Sequence, residues 1–147
     1  MRIYFDVCCL GRPFDDQNQD RIHLESEAVI TILSHIERGD WKWIGSEVIY
    51  YEVDQIPDAE QKKRILQLIS ESNECIRIDE QKIQRAKRLE TFGFKALDAL
   101  HLACAEAARV DIVLTTDDRL RRNAERHKNH LHVKVANPLR WLEEELR

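Results

Sequence analysis

Four acidic residues offer this 147-residue chain its chemistry: Asp6, Glu52, Asp98 and Asp117. Asp6 closes the apolar run Met1-Arg2-Ile3-Tyr4-Phe5, and Glu52 closes Ser46-Glu47-Val48-Ile49-Tyr50-Tyr51. Asp98 interrupts the otherwise apolar Ala96-Leu97-Asp98-Ala99-Leu100-His101-Leu102-Ala103, and Asp117 follows Ile112-Val113-Leu114-Thr115-Thr116. Carboxylates at the carboxyl ends of strands and at adjoining helix starts lie where open α/β sheets bind ligands. Four of them within about 6 Å would repel by roughly 3 kcal/mol per pair at an effective dielectric near 20. If they converge, protons or a cation must neutralise them, and oxygen donors suit Mg²⁺ or Mn²⁺.

Each acid also has a purely structural explanation. Asp6 could end a strand in a turn, Glu52 could sit on a solvated helix face, and Asp117 could cap a helix. Asp98 could face the helix dipole from a first turn. Its Ala and Leu neighbours make an unpaired charge there costly.

The elements that must position these acids alternate between strand and helix. Strands are expected at about Arg2–Asp6, Trp41–Ile44, Cys75–Ile78, Ile112–Thr115 and Val133–Val135. Helices are expected over Asp20–Arg38, from an N-cap at Ser46 through Glu52, and over Ala59–Glu71, Glu80–Thr91, Lys95–Arg109 and Asp117–Arg126, with a last one opened by Asn137-Pro138. Gly11 to Asp16 reads as a polar loop punctuated by Gly and Pro. This alternation predicts an α/β fold, a three-layer α/β/α sandwich around a mostly parallel central sheet. The length suits a single domain spanning residues 1–147.

Composition narrows the function classes. The formal net charge of −4 excludes a bulk polycation but not local basic stripes. No long apolar stretch suggests a membrane span, and the first residues read as a strand rather than a signal peptide. Cys8 and Cys9 are adjacent while Cys75 and Cys104 are distant, which fits neither a zinc site nor a disulfide framework. Reduced thiols and a cytoplasmic location are expected.

The four acidic segments together resemble the PIN domain family of VapC-type toxin ribonucleases. Asp6 looks like the family's first acid, and Ser46 with Glu52 six residues later looks like its second motif. Leu97-Asp98-Ala99-Leu100-His101-Leu102-Ala103 closely resembles the third, and Leu114-Thr115-Thr116-Asp117 the fourth. Val133-Lys134-Val135-Ala136-Asn137-Pro138 is similar to the family's last strand and turn. Two features depart from the pattern: Cys8 stands where many members carry a small polar residue, and Arg12-Pro13-Phe14-Asp15-Asp16-Gln17 is not a general family segment.

The resemblance implies hydrolysis of RNA phosphodiester bonds, leaving 3′-hydroxyl and 5′-phosphate ends. Asp6, Glu52, Asp98 and Asp117 would be both the catalytic residues and the ligands of one or two Mg²⁺ or Mn²⁺ ions, with Asp118 a substitute for Asp117. Thr115 and Ser46 would hold the carboxylates by hydrogen bonds. Arg119, Arg121 and Arg122 could guide the RNA backbone toward them, whereas Lys82, Arg85, Lys87 and Arg88 read as a solvated helix face. His101 reads mainly as a packed helix residue. A cognate antitoxin and a homodimer are the protein partners the resemblance suggests. A non-catalytic RNA-binding or regulatory domain is the alternative. A phosphoacceptor built on Asp79 lacks a second acid beside Asp6 and the Lys expected before Pro138.

Overall fold

The computed structural model describes all residues, 1–147. It holds five strands: β1 (Arg2–Phe5), β2 (Lys42–Ser46), β3 (Glu74–Ile76), β4 (Ile112–Leu114) and β5 (Val135–Ala136). Eight helices accompany them: α1 (Val7–Gly11), α2 (Asp20–Glu37), α3 (Glu47–Asp54), α4 (Ala59–Ile69), α5 (Glu80–Glu90), α6 (Ala96–Ala107), α7 (Asp118–Arg126) and α8 (Pro138–Glu145). The sheet order is β3-β2-β1-β4-β5, and every neighbouring pair is parallel. This is the α/β/α sandwich expected from the alternation.

The chain winds from β1 outward to β3, then returns across the sheet to β4 and β5. Right-handed crossovers therefore place helices on both faces. The reversal falls between β1 and β4, so a crevice opens beyond their carboxyl ends. Register across this junction is fixed by Ile3, Tyr4 and Phe5 beside Ile112, Val113 and Leu114. All six are buried, and they belong to one continuous core that also takes Trp43, Ile44, Leu89 and Leu102. A strand buried on both faces needs apolar residues without alternation, which is what β1 and β4 carry.

Four local differences from the sequence reading have physical causes. Gly11 to Asp16 is not an open loop. Asp6 caps α1, which runs through Gly11, and a 3₁₀ turn over Arg12–Phe14 follows with Pro13 in its first turn. The last strand is Val135–Ala136 rather than Val133–Val135, because only that pair aligns with Val113 and Leu114. The third strand is Glu74–Ile76, ending two residues early. β2 continues to Ser46, which is at once its last residue and the cap of α3.

An ion-pair network centred on the buried Glu25 braces the 3₁₀ turn. Glu25 on α2 accepts from Arg12 Nε at 2.9 Å, from Arg21 Nε at 3.3 Å and from Asn137 Nδ2 at 2.6 Å. Arg21 also reaches the Thr116 carbonyl at 3.1 Å and both oxygens of Asp118 at 2.8 and 2.9 Å. The network ties the 3₁₀ turn, α2, α7 and α8 together. Most cations of the α5 stripe are likewise structural or solvated: Arg85 forks onto Glu106 at 2.7 and 3.0 Å, and Lys82 pairs with Asp79, the cap of α5. No helix is long and apolar enough to cross a membrane.

Candidate metal centre

Asp6 reaches the crevice because β1 ends one residue before it and α1 begins one residue after it. Its Oδ1 accepts the Val7 N–H at 2.7 Å, capping α1. Its Oδ2 accepts the Thr115 hydroxyl at 3.0 Å and lies 3.5 Å from the Cys8 thiol. Cys8 thus supplies a weak sulfur donor to the first acid, and its sulfur also lies 3.4 Å from Thr115 Oγ1. Asp6 is 7 % exposed. Burial raises its carboxyl above the usual range; the nearby His101 opposes this, and Glu52 adds to it.

Glu52 comes from the second turn of α3 and is partly exposed. His101 Nε2 lies 3.0 Å from its Oε1. The other ring nitrogen, Nδ1, is 2.7 Å from the Tyr4 hydroxyl, which in turn is 2.7 Å from Ser46 Oγ. Ser46 also caps α3 by accepting the Ile49 N–H at 3.4 Å. One donor atom from each of Asp6, Glu52 and His101 lies within 4.8 Å of the others. His101 is 3 % exposed. Burial opposes its charged form, but the Glu52 hydrogen bond and the charges of Asp6, Glu52 and Asp98 outweigh this and raise its pKa.

Asp98 stands in the first turn of α6 and is half-buried. Its carboxyl is pushed up to about 6, by burial first and then by Asp6, with Asp117 and Glu52 adding and His101 opposing. Asp117 caps α7, its Oδ1 accepting the Arg119 and Leu120 N–H groups at 2.9 and 3.3 Å. Its own N–H donates to Thr115 Oγ1 at 3.1 Å, so Thr115 links Asp6 to Asp117. Asp98 and Asp117 share the wall of a cavity of about 300 Å³ with Lys95, Arg119, Arg122 and Arg126.

The structure thus brings the four acids into one crevice, in two groups that feel each other's charge. Thr115 touches Asp6 directly. Ser46 lies three hydrogen bonds from Glu52, through Tyr4 and His101. Asp118 does not stand in for Asp117: the Arg21 guanidinium holds its carboxyl down at about 2. Arg119 and Arg122 line the acidic cavity, whereas Arg121 turns to Asp118 at 3.6 Å and faces the neighbouring cavity with Arg21 and Arg140. Sequence reasoning undervalued His101. Its spacing of three from Asp98 on one helix was the available signal, while its partners Tyr4 and Glu52 left none.

The donor set fits a hard divalent cation. It is dominated by carboxylate oxygens, two of its acids are raised by burial and mutual repulsion, and neither Asp6 nor Asp98 takes part in an ion pair with lysine or arginine.

Comparison with known proteins agrees with this architecture. In fold, the chain is similar to VapBC2 from Rickettsia felis bound to a DNA fragment from their promoter, with TM-score 0.60, 15% identity, and coverage of 93% of this chain and 98% of that one. It is similarly related to VapBC-1 from nontypeable Haemophilus influenzae, with TM-score 0.58, 15% identity, and coverage of 94% and 98%. No curated protein matches the chain in sequence. The PIN domain profile matches residues 12–126, a span that holds Glu52, Asp98 and Asp117 and begins after Asp6, the acid the fold itself delivers. With most of its length matched in sequence and the parallel sheet, crevice and acids arranged as described, the chain belongs to the PIN domain family.

Proposed function

We propose that this protein is a Mg²⁺- or Mn²⁺-dependent endoribonuclease of the VapC type, the toxin of a toxin–antitoxin pair. The observation that carries the reading is the crevice in which burial and neighbouring acids raise Asp6 and Asp98, and in which neither forms an ion pair with arginine or lysine. These four residues would hold the ion. A divalent cation there would supply Lewis-acid chemistry, lowering the pKa of an attacking water and offsetting charge on the scissile phosphate. Thr115 and the α1 N-terminus fix Asp6, and the α7 N-terminus fixes Asp117. Arg119 and Arg122, with Lys95 and Arg126 across the same cavity, would take the phosphate backbone beside the acids. No side chain serves as nucleophile.

Protein partners follow from the same reading. The two similar structures are VapBC assemblies, which supports a cognate antitoxin here. Leu24 and Ile30 on α2, and Tyr50 and Tyr51 on α3, are exposed large side chains available to an antitoxin or a second copy of the chain. A cytoplasmic location suits an RNA substrate.

The test is incubation of the purified protein with structured and single-stranded RNAs in Mg²⁺ or Mn²⁺. Cleavage that disappears with EDTA and with Asp98→Asn supports the reading. Neither cleavage nor metal binding by calorimetry would sink it.

A further inference from the structure

Glu52 carries a flexible side chain that is 28% exposed, so it needs a restraint to hold one conformation. Its hydrogen bond from His101 Nε2, at 3.0 Å, is that restraint. His101 is itself held by Tyr4, whose hydroxyl is 2.7 Å from Nδ1 and whose ring packs edge-on against the imidazole at 5.8 Å. Tyr4 is fully buried, and its hydroxyl contacts Ser46, also fully buried, at 2.7 Å. Ser46 caps α3, the helix that carries Glu52. The hydrogen bonds therefore form a closed circuit: from the start of α3 to β1, from β1 to α6, and from α6 back to α3.

The circuit is satisfied with a hydrogen on Nε2, which donates to the Glu52 carboxylate. A neutral ring accepts at Nδ1 from Tyr4, which accepts from Ser46; an imidazolium donates from Nδ1 to Tyr4, which donates to Ser46. An Nε2 that gives its hydrogen to Glu52 has no lone pair for a metal, and Nδ1 is taken by Tyr4. Proximity alone would count His101 as a third ligand; its hydrogen bonds assign it otherwise.

We propose that His101, braced by Tyr4 and Ser46, is a positioning residue that holds the Glu52 carboxylate in one orientation toward the cation site. This rests on reading the acidic crevice as a cation site. Partners that orient a metal ligand typically matter about 10–100-fold in metal affinity.

The test is Mn²⁺ titration of the whole protein, followed by electron paramagnetic resonance, for wild type, His101→Gln, His101→Asn and Tyr4→Phe. Gln places an N–H near the position of Nε2, whereas Asn reaches only toward Tyr4. His101→Gln is expected to stay within about threefold of wild type, and His101→Asn to weaken binding about 10–100-fold. Tyr4→Phe should fall between them, with metal-free melting curves confirming that each variant folds. Wild-type affinity in His101→Asn overturns the proposal. Equal loss in the Gln and Asn variants also overturns it, because the imidazole would then be a ligand. A wild type that binds no Mn²⁺ removes the cation reading and this proposal together. Wild-type binding with an unaffected Asn variant removes only this proposal.

Discussion

Glu25 and Asp6 are both buried carboxylates, 2 % and 7 % exposed, and they lie at opposite ends of the range of environments a buried charge can have. Glu25 receives two guanidinium groups and an amide, so its charge is matched within its own network. Asp6 receives a backbone N–H, a hydroxyl and a thiol, all neutral, and shares its crevice with more acids. Asp117 and Asp118 repeat the contrast between adjacent residues. Asp117 caps a helix beside the open cavity, while Asp118 is forked onto Arg21. In this molecule the carboxylate matched by arginine holds elements together, and the one left short of positive charge is where the proposed cation would sit.

The largest test of that distinction exchanges activity for stability. Asp6→Asn and Asp98→Asn should each cut RNA cleavage by more than about 100-fold. Their metal-free melting temperatures should be equal to or above that of wild type, because mutual repulsion is relieved. Glu25→Gln should do the reverse. It leaves two arginines short of their partner and should cost on the order of 2–3 kcal/mol, less than a fully buried pair because both arginines reach water. A stable Glu25→Gln variant would break the comparison.

Mn²⁺ should act on one region only. At a hundred times its dissociation constant it should stabilise the wild type by about 2.7 kcal/mol, or roughly 5–10 °C in melting temperature. Asp6→Asn should lose most of this shift, and Glu25→Gln should keep it despite its lower starting point. Equal metal response in all three proteins would separate the metal from the crevice.

The pH dependence has opposite signs in the two regions. Asp98 is pushed up to about 6 and Asp6 is also raised, so between the ordinary unfolded value near 4 and about 6 the folded state holds more protons. Their contribution is present at low pH and fades as pH rises through 6. Metal-free melting temperature should therefore fall less steeply across this window in Asp98→Asn than in wild type. Asp118 is held at about 2, so its contribution is present above 4 and is lost as pH drops toward 2.

The smallest effects belong to the arginines. Arg122→Ala and Arg119→Ala should weaken RNA binding nearly independently of base sequence and reduce the salt slope by about 1 each. Arg121→Ala, which faces Asp118, should change the slope least.

Much of the fold was legible because its signals are local. Gly39, with φ of 86°, stops α2 where the sequence placed a stop, since glycine adopts that conformation without strain. Ser46, Asp79 and Asn137 cap helices with side-chain oxygens, as their residue types suggest. The helix hidden in Val7–Gly11 was not legible: two cysteines and a leucine carry no helical period over five residues, and its cap is the same Asp6 already assigned to the site. Edge strands were displaced by one or two residues because pairing with a neighbour, not propensity, decides where they run.

The sequence by itself determined the alternation of elements, and with it the positions of Asp6, Glu52, Asp98 and Asp117 near strand ends and helix starts. It also carried the PIN resemblance, through motifs a few residues long. Only the tertiary structure decided which charges are matched. Arg21 finds Asp118 across 97 positions, and Asn137 finds Glu25 across 112. His101 finds Glu52 across 49 positions and Tyr4 across 97. Hydrogen bonds and ion pairs act over about 3 Å, so such partners leave no trace in local composition or period. They are set when the sheet reverses between β1 and β4 and brings distant helix ends to one crevice.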